Sequence, residues 1–217
     1  MIKNIIFDFD GTIADSFKSV YKIIGELSQK HLKKKLSIKE IQNLRDLTTR
    51  EIFSSIGFSI YKIPFVVKKI RKELSTEIEK ILPVKGMEKT LIKLKNAKKN
   101  IIILSSNEME TIQKFLDKYK MNFFSDIFSG SSLFGKHILL RKILRRYHLE
   151  KNETVYIGDE TRDVQAAKKT GIKSVAVTWG FNSINILEKQ KPDYLVSEPK
   201  ELLKIFINSK YITPNNP

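Results

Sequence analysis

Asp8-Phe9-Asp10-Gly11-Thr12 sets two carboxylates two residues apart, directly after the apolar run Ile5-Ile6-Phe7. A run this short, apolar and β-branched reads as a strand, so both acids stand at a strand's C-terminal end. Carboxylates gathered there are costly unless a cation meets them. Gly11 lets the chain turn sharply behind them. The plainer alternative is an acidic strand-to-helix turn in which an Asp caps the helix.

A second acidic segment, Gly158-Asp159-Glu160-Thr161-Arg162-Asp163, follows the apolar run Val155-Tyr156-Ile157. If this strand lies beside the first, Asp8, Asp10 and Asp159 converge. Three carboxylates sharing a small volume call for a metal ion. The chain has no cysteine and only three scattered histidines, His31, His137 and His148. Hard oxygen donors without nitrogen or sulfur ligands point to magnesium and away from zinc. Asp163 has a simpler alternative as a helix cap. Two weaker signals complete the set. Ser105-Ser106-Asn107 follows the strand-like run Ile101 to Leu104, and hydroxyls with backbone N–H groups at such a turn suit a phosphate. Ser and Asn are also ordinary caps. Lys136 is one lysine among many, and only its place between a third strand and a helix singles it out.

These residues need a scaffold that brings strand ends together. Apolar runs recur at Ile5–Phe7, Ile101–Leu104, Ile127-Phe128, Val155–Ile157, Ser174–Val177 and Tyr194–Val196. Such uninterrupted runs suit strands buried on both faces of a parallel sheet. Helical periodicity fills the gaps at Met87–Lys98, Met109–Tyr119, Ile138–Tyr147 and Thr161–Thr170. The alternation predicts an α/β fold, a doubly wound, Rossmann-like parallel sheet. One stretch departs from it. Between Asp15 and Leu82 the pattern is helical throughout, as in Val20, Ile23, Ile24 and Leu27, with Gly57 and Pro64 as punctuation. It predicts a helical cap domain at 15–82, inserted after the first strand into a core formed by 1–14 and 83–217. The tail Thr213-Pro214-Asn215-Asn216-Pro217 is expected to fray.

Composition bounds the remaining possibilities. A chain of 217 residues, 41% hydrophobic and 29% charged, is an ordinary globular sequence. The lack of cysteine excludes a disulfide framework and a thiol nucleophile. No apolar run approaches the roughly 18 residues of a membrane span, and the N-terminus does not read as a signal peptide. The expected location is the cytoplasm, as monomer or homodimer. The net charge of +16 reflects lysine usage throughout, or it attracts polyanions. Its local clusters, Lys33-Lys34-Lys35 and Arg141-Lys142 with Arg145-Arg146, read as solvated helix faces more than as a nucleic-acid arm.

Taken together and in order, Asp8-Phe9-Asp10-Gly11-Thr12, Ser105, Lys136 and Gly158-Asp159 with Asp163 resemble the motifs of the haloacid dehalogenase-like hydrolase superfamily. The resemblance covers essentially the whole chain. Val177-Thr178-Trp179-Gly180-Phe181 and Lys191-Pro192-Asp193-Tyr194 are similar to the phosphoglycolate phosphatase-type branch, whose helical cap occupies the position of the insertion here. The resemblance implies that Asp8 is a nucleophile forming an aspartyl-phosphate and that Asp10 is the acid/base. Mg2+ would be held by the side chains of Asp8 and Asp159 and the backbone carbonyl of Asp10. Ser105 and Lys136 would bind the phosphoryl group and Asp163 would support Lys136. The Ser105-Ser106 pair leaves the register of the hydroxyl open by one. Gly11, Thr12, Ser106 and Asn107 would add substrate contacts. In the cap, Leu44-Arg45-Asp46-Leu47-Thr48-Thr49-Arg50 lies where this branch places a substrate-facing segment, which makes Arg45 a candidate for a second substrate anion. An acid/base at Asp10 favours a leaving alkoxide over C–halogen cleavage. The implied activity is hydrolysis of a small phosphomonoester. The rivals are a β-phosphoglucomutase-type sugar phosphomutase and a catalytically quiet polyanion-binding protein.

Overall fold

The computed structural model describes residues 1–130 and 135–207; the tail expected to fray lies outside the described residues. Six strands form one parallel sheet: β1 (Asn4–Phe7), β2 (Asn100–Ser105), β3 (Asp126–Ser129), β4 (Thr154–Gly158), β5 (Lys173–Val177) and β6 (Tyr194–Val196). Their order is β3-β2-β1-β4-β5-β6, the doubly wound arrangement expected from the alternation of runs. The winding direction reverses between β1 and β4, and ligands of such sheets bind beyond the carboxyl ends at that point.

Alternate residues of each strand serve opposite layers. Ile5, Phe7, Ile101 and Ile103 pack towards α5 (Met87–Asn96) and α6 (Met109–Lys118). Ile6, Ile102, Leu104 and Tyr156 pack towards α7 (Lys136–Arg146) and α8 (Thr161–Thr170). Ile5, Ile6 and Phe7 are fully buried, each worth roughly 1.5–3 kcal/mol relative to exposure. This two-sided burial explains why the runs Ile5–Phe7, Ile101–Leu104 and Val155–Ile157 are continuously apolar. Two short helices beyond the sequence reading, Ile184–Lys189 and Glu201–Phe206, span under two turns and show too little periodicity to be recognised. Arg141, Lys142, Arg145 and Arg146 lie exposed on α7. No described helix is long and apolar enough to cross a membrane.

The insertion after β1 is helical, as its periodicity predicts: α1 (Phe17–Leu32), α2 (Ile38–Leu44), α3 (Thr49–Ile56) and α4 (Ile63–Glu77). Ser37 with Glu40, and Thr48 with Glu51, form reciprocal capping boxes that start α2 and α3. Gly57, at φ 106°, ends α3 in a conformation that disfavours a side chain. Pro64 sits in the first turn of α4, where its missing N–H costs nothing. The apolar stripes Tyr21, Ile24 and Leu27, Ile52, Phe53 and Ile56, and Val66, Ile70 and Leu74 are buried against one another and the core. The chain leaves and re-enters the core side by side. Asp15 N–H donates to the Leu82 carbonyl and Val84 N–H to the Ile13 carbonyl, each at 2.9 Å.

Candidate active site

Sheet register assembles the site. Phe7 pairs with Ile103 of β2 and Ile157 of β4, so the residues following these three strands share one rim. Asp8 N–H still donates to the Ile157 carbonyl at 2.8 Å, which fixes Asp8 at the strand end. Lys136, the first residue of α7, reaches the same point. Its Nζ lies 2.5 Å from Asp8 Oδ2 and 2.6 Å from Asp163 Oδ1, with all three side chains almost fully buried. Tyr156 OH donates to Asp163 Oδ1 at 3.3 Å, and Glu160 N–H donates to its Oδ2 at 3.0 Å. Asp163 thus orients the lysine and also closes the start of α8. A Cβ on Gly158 would stand 2.4 Å from Asp163 Oδ2, so this position has no room for a side chain.

Asp10 is half-buried on the cap side of Asp8, where Asn107 Nδ2 donates to its Oδ2 at 2.8 Å. Its Oδ1 is buried without a hydrogen-bond partner among the described residues. Ser105 Oγ accepts the Asn107 N–H at 3.0 Å and is buried, whereas Ser106 and Asn107 line the cavity below the insertion. Asp159 is fully buried and accepts from Thr12 Oγ1 and from the Phe181 N–H, each at 2.7 Å. Gly11, at φ 70°, passes so close that a Cβ would lie 2.3 Å from Asp159 Oδ2. Trp179 Nε1 donates to the Thr12 carbonyl at 3.1 Å, so the loop after β5 braces the first acidic turn.

The closest-set carboxylates are Asp8, Glu160 and Asp163, whose oxygens lie within 4.8 Å of one another. The expected ligand Asp159 stands outside that group, its two oxygens turned to Thr12 and Phe181. Glu160 is a residue the sequence reading left without a role. It pairs with Arg162, whose Nε donates to Glu160 Oε1 at 2.9 Å, and it accepts from Thr49 Oγ1 of the insertion at 2.9 Å. Five carboxylates therefore crowd the rim, those of Asp8, Asp10, Asp159, Glu160 and Asp163. Among the described residues Lys136 and Arg162 form ion pairs with this group. Asp10 and Asp159 have no ion pair among the described residues.

The electrostatics follow from this imbalance. Burial pushes the Asp8 carboxyl up to about 7, against the pull of Lys136. Burial likewise raises Asp10 to about 6, opposed by the nearby Ser16 hydroxyl and the Lys136 charge. Asp159 is raised well above the carboxylate range by burial and by the Glu160, Asp8 and Asp163 charges. Burial disfavours the Lys136 ammonium, but Asp163 and Asp8 outweigh it and hold the pKa above the ordinary lysine value. A rim of hard oxygens with surplus negative charge, and an orphaned Asp10 oxygen, fits a divalent cation such as magnesium.

Arg45 takes a different position from the one that its motif suggests. Its guanidinium donates to the carbonyls of Gly180 at 3.0 Å and of Thr178 and Phe181 at 3.4 Å, and lies 5.1 Å over the Phe17 ring. Asn182 Nδ2 donates to the Arg45 and Leu47 carbonyls, which docks this segment on the core. The arginines that line the cavity are Arg71 of α4 and Arg162. Neither had a local signal, because a single basic residue in a lysine-rich amphipathic helix looks solvent-facing.

A family model described as haloacid dehalogenase-like hydrolase matches residues 5–177. The chain belongs to that family. Among relatives of these hydrolases, a phosphoglycolate phosphatase of Synechococcus elongatus is 31% identical over 201 residues, 92% of this chain and 95% of the relative. A pyrophosphatase PpaX of Bacillus mycoides is 23% identical, covering 94% of this chain and 96% of the relative. A solved haloacid dehalogenase-like family hydrolase from Streptococcus pneumoniae superposes with a TM-score of 0.78 at 25% identity, covering 94% of this chain and 98% of that one.

Proposed function

We propose that this hydrolase is a magnesium-dependent phosphatase that cleaves a small phosphomonoester of the phosphoglycolate kind through an aspartyl-phosphate on Asp8. The observation that carries the reading is the buried ion-pair chain Asp8–Lys136–Asp163 beside Asp10, at the carboxyl rim of β1 and β4. The similarity to a phosphoglycolate phosphatase over nearly the whole chain supports the same class.

In this reading an Asp8 carboxylate oxygen attacks phosphorus and the ester oxygen leaves, taking a proton from Asp10. Water then attacks the phosphorus of the aspartyl-phosphate and gives its proton to Asp10, which releases phosphate and restores Asp8. A carboxyl raised to about 6 suits both duties, since it exists in either protonation state near neutrality. Lys136 neutralises charge on Asp8 and on the phosphoryl oxygens, and Asp163 holds the ammonium in place. Asn107 orients Asp10. Ser105 and Ser106 stand at the adjoining strand end, with Ser106 open to the cavity. Asp8, Asp159 and the Asp10 backbone carbonyl would hold the magnesium ion, which supplies Lewis-acid stabilisation of the phosphoryl charge. Asp159 suits the task because among the described residues its hydrogen bonds come from the neutral donors Thr12 and Phe181, and each of its oxygens keeps a lone pair. Residues 15–82 would act as a lid, latched by Thr49 to Glu160 and by Arg45 and Leu47 to Asn182.

The test is a phosphate-release screen over small phosphorylated metabolites, with and without magnesium. Wild type should release free phosphate only with the metal, and Asp8→Asn should lose on the order of 10³-fold or more in turnover. Full activity in that variant would end the covalent route. Transfer to a sugar in place of phosphate release would make the enzyme a mutase.

A further inference from the structure

Between the insertion and the rim lies a cavity of about 120 Å³. Asp10 and Asn107 form its floor, so it adjoins the leaving-group side of the proposed reaction. The wall contributed by α4 is aliphatic at Val67, Ile70 and Leu74, but Arg71 interrupts it. Among the described residues Arg71 is the one charged side chain that the insertion sends to this cavity. It is half-buried, and Arg162 lines the same cavity from the core. Burial lowers the Arg71 pKa, Arg162 lowers it further, and Asp10 raises it, which places the guanidinium within electrostatic reach of both.

Resting on the phosphatase reading, we infer that Arg71 determines specificity by pairing with a second anionic group, a carboxylate or phosphate, on a compact phosphomonoester. A guanidinium presents a planar fork that matches either oxyanion. The aliphatic wall around it lowers the local dielectric, which strengthens that pairing and offers nothing to a hydroxylated leaving group. The cavity falls far below the roughly 300–1,000 Å³ that holds a drug-sized ligand. Its enclosed part therefore suits leaving groups of two or three carbons, or a single phosphate, better than hexose or nucleoside moieties. Arg45 is held by three backbone carbonyls and does not line this cavity, whereas Arg71 does.

The experiment compares kcat/KM for 2-phosphoglycolate, for pyrophosphate and for ethyl phosphate, which keeps the two-carbon ester without its carboxylate. Wild type should prefer 2-phosphoglycolate over ethyl phosphate by at least about tenfold, as a site built to bind a polar group rejects the analogue lacking it. Arg71→Met should collapse that ratio at least about tenfold, chiefly through KM, and Arg71→Lys should recover a substantial part. A parallel loss with pyrophosphate assigns either oxyanion to Arg71, and a loss confined to 2-phosphoglycolate assigns the carboxylate. A wild-type ratio near one, or an Arg71→Met ratio equal to wild type, overturns the inference. Should Arg71→Met fail to fold by thermal melting, the wild-type ratio and Arg71→Lys carry the test. Calorimetric binding of 2-phosphoglycolate and ethyl phosphate to Asp8→Asn, with and without Arg71→Met, reads the preference without turnover. Lost preference there condemns Arg71, whereas retained preference in a protein that releases no phosphate condemns the phosphatase reading alone.

Discussion

The strand-end rim and the cavity wall of the insertion face each other, yet they are built in opposite ways. At the rim, Asp8 and Asp159 sit at fixed steps of a hydrogen-bonded sheet, and Lys136 is clamped between two buried carboxylates. The insertion wall is an aliphatic surface on helices that touch the rim through single polar contacts, such as Thr49 to Glu160. The sheet fixes these groups closely because β1, β2 and β4, whose ends carry them, are each tied to a neighbour on both sides. Helices packed by apolar stripes tolerate substitution and small shifts. In the proposed reading, reaction chemistry belongs to the first kind of structure and substrate choice to the second.

This contrast breaks most sharply at Lys136. Lys136→Ala should cost about 3 kcal/mol of transition-state stabilisation, roughly a 10²-fold loss of kcat/KM, measured on any accepted ester. A loss seen with one ester and absent with another would place the lysine with substrate selection. The next effect concerns the metal. Asp159→Asn should weaken magnesium binding by at least about tenfold in a calorimetric titration, exceeding the change from Glu160→Gln, because Glu160 already has Arg162 as its cation. The reverse ranking would move the ligand to Glu160.

A smaller effect reports on the crowded carboxylates. Asp8 titrates at about 7 in the fold against 3.8 as its ordinary value. The folded chain therefore binds more protons than the unfolded one across that window. Stability from this source is complete at the acid end and is lost as pH rises through about 7. Between pH 5 and pH 8 the metal-free wild type should lose more denaturant stability than Asp8→Asn, and magnesium should reverse the difference. Equal pH dependence in the two proteins would show that Asp8 is not the group strained by burial. The smallest effect lies on the lid. Thr49→Val removes one partly exposed hydrogen bond and should raise KM about two- to fivefold with little change in kcat. An equal fall in kcat would mean that the latch helps to assemble the rim.

Much of the rim was legible in the residues. All six strands fall where the apolar runs stand, most clearly at β1, β2 and β4, where burial on both faces leaves no polar interruption in the run. Lys136 was legible only through its order between neighbouring motifs, since nothing in the side chain distinguishes it from the other lysines. Glu160 was passed over because it stands between two more regular motif positions, and its value comes from Thr49, 111 residues away. Arg45 bonds to carbonyls of the core, and Arg71, which had no local signal, lines the cavity. The segment around Arg45 docks on the loop after β5, and the turn of α4 decides which of its basic residues faces inward.

By itself the amino-acid order determined the alternation of strands and helices, the helical insertion and the family of the hydrolase. Each of these rests on local periodicity or on residues adjacent in the chain. Only the tertiary structure decided which carboxylates pair with cations, which have no ion pair among the described residues, and which arginines reach the cavity. Those outcomes depend on sheet register and on the rotation of packed helices, where one residue of slip or a third of a turn exchanges an inward side chain for an outward one.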